Sequence, residues 1–277
     1  MIHSLQPYQN QSSQLTSNKM QLDFLPHIGD FAPEQMSMFD DRNRPHIQKQ
    51  TKRDVEKFFN SITCDEVIEH GLVWERLKCR NLVDEFQRWL FAFMSVHTSY
   101  ASNMKGYLAI KDWTEWFNKN PNVLREKIVE SGVGLHNNRT NFITSFAQKF
   151  WSNPDMFKKK DGESWKSFRN RLVKEINGLG IAKVSFALEM IHTFDVEVFC
   201  ADTHLFQAYG YKQEIHGHKY DEIEDHWVQM SKLYNVSPAI SRGIFWDRKK
   251  DQPNSYYWMK VFDPIWLNSQ KPTEVAS

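Results

Sequence analysis

From Arg53 onward the apolar positions of the chain fall at helical spacing. Val55, Phe58 and Phe59 recur in this way, and so do Val83, Phe86, Trp89, Leu90 and Phe93. The aromatic group Trp113 to Phe117 follows, then a helix predicted to begin near Asn122 and another carrying Phe142, Phe146 and Phe150. Asn120–Pro121 and Asn153–Pro154 interrupt the period, since proline biases the residue before it away from helix. Trp165 to Ile176 and Ile181 to Ile191 form two further helical stretches. Helix resumes after Asp202, and Tyr220 to Leu233 is another. The segment Arg242 to Leu267 mixes aromatic and charged residues without a clear period and is predicted to be irregular.

The first 50 residues are rich in Gln, Ser, Asn and Pro. Roughly their first twenty are predicted to be disordered, and the remainder to form an arm that packs through Phe24, Leu25, Phe31 and Met36. The pattern is all-α, with about nine to eleven helices at ordinary helix lengths. It divides into an N-terminal arm (1–50), a helical core (51–235) and an aromatic, basic C-terminal extension (236–277).

Composition narrows the chemistry. The chain has 277 residues and a formal charge of +1, so any polyanion contact must come from local clustering of cations. Cys64, Cys79 and Cys200 are scattered, which excludes a disulfide framework and a sequence-local zinc or iron–sulfur site. No signal peptide or run of membrane-spanning length is visible, and a reducing cytoplasm is the expected compartment.

The richest stretch is KEINGLGIAKVSFALEMIHTFDVEVFCADTHLF, Lys174 to Phe206. It places Gly178–Leu179–Gly180 between two helical patterns. Such a junction is either a plain tight turn or an anion site, in which the glycines let the backbone bend and the amides of Gly180, Ile181 and Ala182 face a phosphate. No strand precedes it, which argues against a dinucleotide fingerprint. Downstream, Asp202 precedes Thr203 and His204. Asp202 reads both as an N-cap of the next helix and as a carboxylate for base or electrostatic work, and the two roles are compatible. A basic run precedes the hairpin and includes Lys166, Arg169 and Arg171. It is either a solvated face or a phosphate-contacting one. His97 ends an apolar helix, as a polar terminus or as a site residue. Asn137 and Arg139 lie in a turn that opens a helix, with Arg139 a phosphate candidate. In the tail, Arg242, Trp246, Arg248, Lys249 and Lys250 with Tyr256, Tyr257 and Trp258 suit either base stacking or docking.

Together these pieces resemble the helix-hairpin-helix DNA glycosylase superfamily, of which endonuclease III is a member. That family's order is a Ser-Ala-Gln helix end, a Gly-Leu-Tyr-Asn-x-Lys turn, a Leu-Pro-Gly-Val-Gly-x-Lys hairpin and Val-Asp-Thr-His. Here stand Ser95–Val96–His97, Gly134–Leu135–His136–Asn137–Asn138–Arg139, Ile176–Asn177–Gly178–Leu179–Gly180 and Ala201–Asp202–Thr203–His204. The match runs from about Leu90 to Tyr211 and leaves both ends unexplained. It implies a two-lobed all-α fold with its hairpin at 176–183, binding to double-stranded DNA, a monomer, and a monovalent cation at the hairpin as the one cofactor.

The departures are informative. Ala182 stands where lyase-type members carry a Schiff-base lysine, and Lys183 comes one place later. One step on a helix turns a side chain by about 100°, so Lys183 is expected to point elsewhere unless the hairpin carries an extra residue. The family's iron–sulfur cysteines are absent. His97 replaces a glutamine that fills the gap left by a flipped nucleotide. Asp202 carries over directly.

Beyond the shared core, WERLKCRNLVDEFQRWLFAFMSVHTSYASNMKGYLAIKDW resembles the glycosylase-related amino acid:DNA transferases of phages that hypermodify thymine. That resemblance implies a phosphorylated 5-hydroxymethyluracil in DNA whose phosphate is replaced by an amine such as glycine or serine, in a host cytoplasm. Asp202 would take up a proton or steady a cation, with Lys183 and His97 as further catalytic candidates. His204, Asn137 and a cation such as Arg139, Arg169 or Arg248 would meet the substrate phosphate. A monofunctional glycosylase and a non-catalytic DNA-binding module are the alternatives.

Overall fold

The structure, a computed structural model, describes residues 51–250 and 256–263. The expected N-terminal arm lies outside them. The described residues form thirteen α-helices and no strand. They are α1 (Lys52–Asn60), α2 (Cys64–Arg76), α3 (Leu82–Met94), α4 (Tyr100–Ile110), α5 (Pro121–Glu130), α6 (His136–Ser152) and α7 (Trp165–Glu175). Then come α8 (Ile181–Ile191), α9 (Thr203–Ala208), α10 (Gln213–His216), α11 (Tyr220–Leu233), α12 (Pro238–Lys250) and α13 (Tyr256–Phe262).

Local chemistry sets the boundaries. Thr63 and Glu66 form a reciprocal capping box at the start of α2. Asn81, Ser99 and Ser164 each accept from a first-turn amide of α3, α4 and α7. Pro121 sits at the first position of α5, where its missing N–H costs nothing.

Helix α3 is buried along Phe86, Trp89, Leu90, Phe91, Ala92, Phe93 and Met94, as expected of a helix surrounded by others. It packs against α4, α6 and α8. An aromatic group of Phe86, Trp89, Phe146, Phe150 and Phe157 fills the space beside α6. A second group, Phe58, Phe59, Phe199, Trp227 and Phe245, joins α1, α11 and α12. Helix α8 touches α3, α7 and α12 and so lies between these two gatherings.

The C-terminal segment departs from expectation. Pro238–Lys250 is a regular helix packed on α2, α8 and α11, and a further helix spans Tyr256–Phe262. The period was hidden because α12 buries charge and a glycine together with its apolar residues. Arg242 is buried, and Gly243 presses on His70, whose Nδ1 would stand 2.8 Å from an added Cβ. His70 in turn meets Asp247 at 3.0 Å.

A candidate active site around Asp202

The stretch from Val196 to Ala201 is apolar, buried and not helical, and no strand pairs with it among the described residues. Buried amides need partners, and side chains supply them. Phe199 N–H donates to Glu224 Oε1 at 3.1 Å, and Cys200 N–H donates to Glu189 Oε1 at 3.0 Å. The Tyr220 hydroxyl donates to the Phe199 carbonyl at 2.7 Å. Two buried cations balance the two buried carboxylates. Arg169 grips Glu224 at 2.8 and 3.0 Å, and Arg242 grips Glu189 at 2.7 to 2.8 Å. Burial pushes the Glu189 carboxyl up to about 7 against the opposing pull of Arg242.

This scaffold delivers Asp202 to the N-terminus of α9. Its Oδ1 accepts from His204 N–H at 3.0 Å and Leu205 N–H at 3.2 Å, which is the expected cap. Its Oδ2 accepts from the indole N–H of Trp246 at 3.2 Å. Oδ1 therefore uses both lone pairs, while Oδ2 retains one. The His204 ring meets Trp246 edge-on at 4.8 Å.

Cations converge on this carboxylate. Lys183, in the first turn of α8, is largely buried, and its ammonium lies over the Phe186 ring at 5.7 Å. Burial lowers its pKa; the charges of Cys200 and Asp202 raise it, and those of Arg242 and Arg139 lower it. Lys183 thus shares the surroundings of Asp202, contrary to the expectation that it points elsewhere. Arg242 touches the other part of the same ring system, at 5.1 Å from the Phe186 centroid. Lys250 sits among three rings, 4.9 Å from Trp246 and 5.7 Å from both Tyr100 and Tyr257. Burial lowers its pKa too, with Asp247 and Asp202 opposing.

The hairpin itself is built as its sequence suggests, with one difference between its glycines. Gly178 has φ 88°, and a Cβ there would stand 2.3 Å from Phe142, so glycine is required on both counts. Gly180 is extended (φ −84°) with nothing within 4 Å of an added Cβ. Gly180 is the N-cap of α8, which has no side-chain cap, so the first-turn amides of Ile181 and Ala182 are left to an external acceptor.

Several residues expected to meet phosphate are committed elsewhere. Arg139 is buried and donates to the carbonyls of Phe93 (2.6 Å), Val96 (2.6 Å) and Gly134 (3.1 Å), where it ties the α3–α4 and α5–α6 turns together. Arg169 is fully buried on Glu224, where it neutralises the carboxylate behind Phe199. Arg171 is held by Glu163 and by the carbonyls of Met156 and Lys158. Arg248 is held by Glu66, at 2.6 and 2.7 Å, and by Ser61. Lys166 pairs with Asp225 at 2.5 Å and remains partly exposed. Asn137 is exposed and accepts from Arg125 at 2.9 Å. His97 is exposed at φ 51°, in the turn that Arg139 clamps, and Leu135 is exposed at φ 49° in the other clamped turn.

Sequence reasoning weighed Arg242, Trp246 and Lys250 only as a stacking or docking tail. They stand four residues apart, on one face of a helix. That spacing was the available signal, and the charged residues interleaved between them masked it.

No protein-family model matches the chain, and no curated protein matches it. Solved structures do. The 8-oxoguanine DNA glycosylase of Methanocaldococcus jannaschii superposes with a TM-score of 0.57 at 19% identity, over 74% of this chain and 95% of that one. The same organism's 8-oxoguanine glycosylase/lyase in complex with a 15mer DNA containing 8-oxoguanine gives 0.57 at 18%, over 74% and 99%. The 8-oxoguanine DNA glycosylase of Thermotoga maritima gives 0.58 at 17%, over 74% and 100%. No described helix is long and apolar enough to cross a membrane. At these identities the likeness is one of architecture: the chain has the all-helical, helix-hairpin-helix fold of these DNA glycosylases.

Proposed function

We propose that this protein acts on a base in double-stranded DNA, and that it replaces the phosphate of a phosphorylated 5-hydroxymethyluracil with an amine. The observation that carries the reading is the placement of Asp202. A carboxylate fixed by two amides and an indole N–H, with one lone pair of Oδ2 left over, stands on the same fold as a hairpin whose amides lack a cap. The uncapped turn of α8 suits a DNA phosphate, which positions the duplex without reading its sequence. Asn177, Gly178 and Gly180 expose backbone there, and their carbonyl oxygens are the hard donors that a monovalent cation takes. The target nucleotide would be flipped out at an unstacking cost of a few kcal/mol.

The transferase reading is supported by α12, which brings an aromatic and cationic surface to Asp202. In the reaction the amine nitrogen forms a bond to the 5-methylene carbon, and the carbon–oxygen bond to phosphate breaks with its electron pair leaving on the phosphate. The new ammonium centre gives a proton to Asp202, which passes it on to the departing phosphate or to water. A free amino acid or amine is the co-substrate.

A second reading, excision of a modified base by a glycosylase, is favoured by the proximity of Lys183 to Asp202 and by the architecture. Mass spectrometry of nucleosides from DNA containing 5-phosphomethyluracil, incubated with the protein and a pool of amino acids, separates them. Loss of phosphate with gain of an amine is the expected result. Free base with abasic sites would make it a glycosylase, and unchanged DNA would leave only binding.

A further inference from the structure

We propose that Lys183 and Lys250 form the seat for a phosphomonoester carried by the base that lies beside Asp202. The inference rests on the reading above, since it supplies the acceptor for that reading's leaving group.

The argument begins with which cations are spoken for. Arg139 is spent on three carbonyls, Arg169 on Glu224, Arg171 on Glu163 and Arg248 on Glu66. Arg242 is charge-matched by Glu189. What remains near Asp202 is a pair of lysines from two helices, α8 and α12, which pack on each other. Lys183 makes no hydrogen bond or ion pair among the described residues and contacts only the Phe186 ring. Lys250 is walled by Trp246, Tyr100 and Tyr257.

An ammonium beside aromatic faces, shielded from water, interacts with an anion more strongly than it does in solvent. The two flank a carboxylate that is already orientated by three donors and needs neither of them for its geometry. A lysine is a point charge with three rotatable donors, suited to a phosphate whose charge grows as its bond to carbon breaks. Burial lowers the pKa of both lysines in the empty site, and an arriving dianion reverses that penalty.

The test compares two duplexes that differ only at one base, 5-phosphomethyluracil or 5-hydroxymethyluracil, by fluorescence anisotropy. The full-length protein is expected to prefer the phosphorylated duplex by roughly ten-fold, as for one charge-assisted contact. K183M and K250M should each bring that ratio close to one while leaving affinity for the hydroxymethyl duplex unchanged, which also certifies their folding. K166M should keep the ratio. A wild-type ratio of one, or a full ratio in both variants, would overturn the seat. So would variants that keep the ratio but raise the KM for the amino acid, because the lysines would then hold the co-substrate carboxylate. If the ratio behaves as expected and no amine enters the DNA, the transferase reading fails and the seat stands.

Discussion

The indole N–H of Trp246 in α12 bonds to Oδ2 of Asp202 at 3.2 Å, across 44 residues of sequence. The cap explains where Asp202 sits; Trp246 explains which way its second oxygen faces. Asn caps a helix about as well as Asp, so D202N should fold normally, bind DNA as the wild type does, and show no turnover. W246F should lower kcat by about ten- to a hundred-fold, from one lost hydrogen bond to a charged group, with DNA affinity unchanged. Turnover assays beside anisotropy check both, and a fully active D202N would remove Asp202 from the chemistry.

The two hairpin glycines should part company. G178A meets both a positive φ and the Phe142 ring at 2.3 Å, and should cost at least ~2 kcal/mol of stability. G180A meets neither obstacle and should melt with the wild type. Its methyl group would crowd the backbone amides where a phosphate approaches, so DNA affinity should fall. Thermal melts and a salt titration of DNA binding read the contrast.

Arg169 offers a clean separation of fold from binding. R169M leaves Glu224 buried without its partner and should cost about 3–5 kcal/mol. Among the molecules that remain folded, the salt slope of DNA binding should not change. A lower slope, as expected for one lost phosphate contact, would restore the sequence-based assignment.

His97 and Leu135 are both exposed, both in the left-handed region, and both in turns that Arg139 ties together. Strain held on the surface by one buried side chain suits groups that enter a duplex when a base leaves it. L135A should leave stability within ~0.5 kcal/mol yet reduce base flipping, as read by the fluorescence of 2-aminopurine beside the target. R139M should destabilise the fold and impair flipping together.

The preference for a phosphorylated base should depend on pH with a defined sign. Burial lowers the pKa of Lys183 from its ordinary 10.5, so its charge is lost earlier than that of a surface lysine. Preference should be full at lower pH and fall as pH rises, before 10.5 is reached. K183R, which keeps its charge throughout, should flatten the curve.

Much of this was legible in the sequence for a simple reason: the hairpin and the Asp202 cap are local. Glycines, a helix on each side and an Asp at a helix start are all settled within a few residues. The charged residues were less legible, because sequence shows that a guanidinium is present and not what it is bonded to. Arg139, Arg169, Arg171 and Arg248 each found partners at least eight residues away. Lys183 was expected off the site by counting from the family's lysine, and the fold brings it to Asp202 all the same. Helix α12 was hidden by its own chemistry, with one face carrying Arg242, Trp246 and Lys250 to the site and another fitting Gly243 and Asp247 against His70.

The chain behind Asp202 hangs from side chains where a sheet would have offered a neighbouring strand. Glu189 of α8 and Glu224 and Tyr220 of α11 hold it like three guy ropes. A strand partner would fix register by many equal bonds, and no single residue could shift it. Here, changing the length of one rope moves the carboxylate while the hairpin stays in place. Such a mounting lets one DNA-holding frame be retuned to new base chemistry through residues that touch neither the duplex nor the substrate.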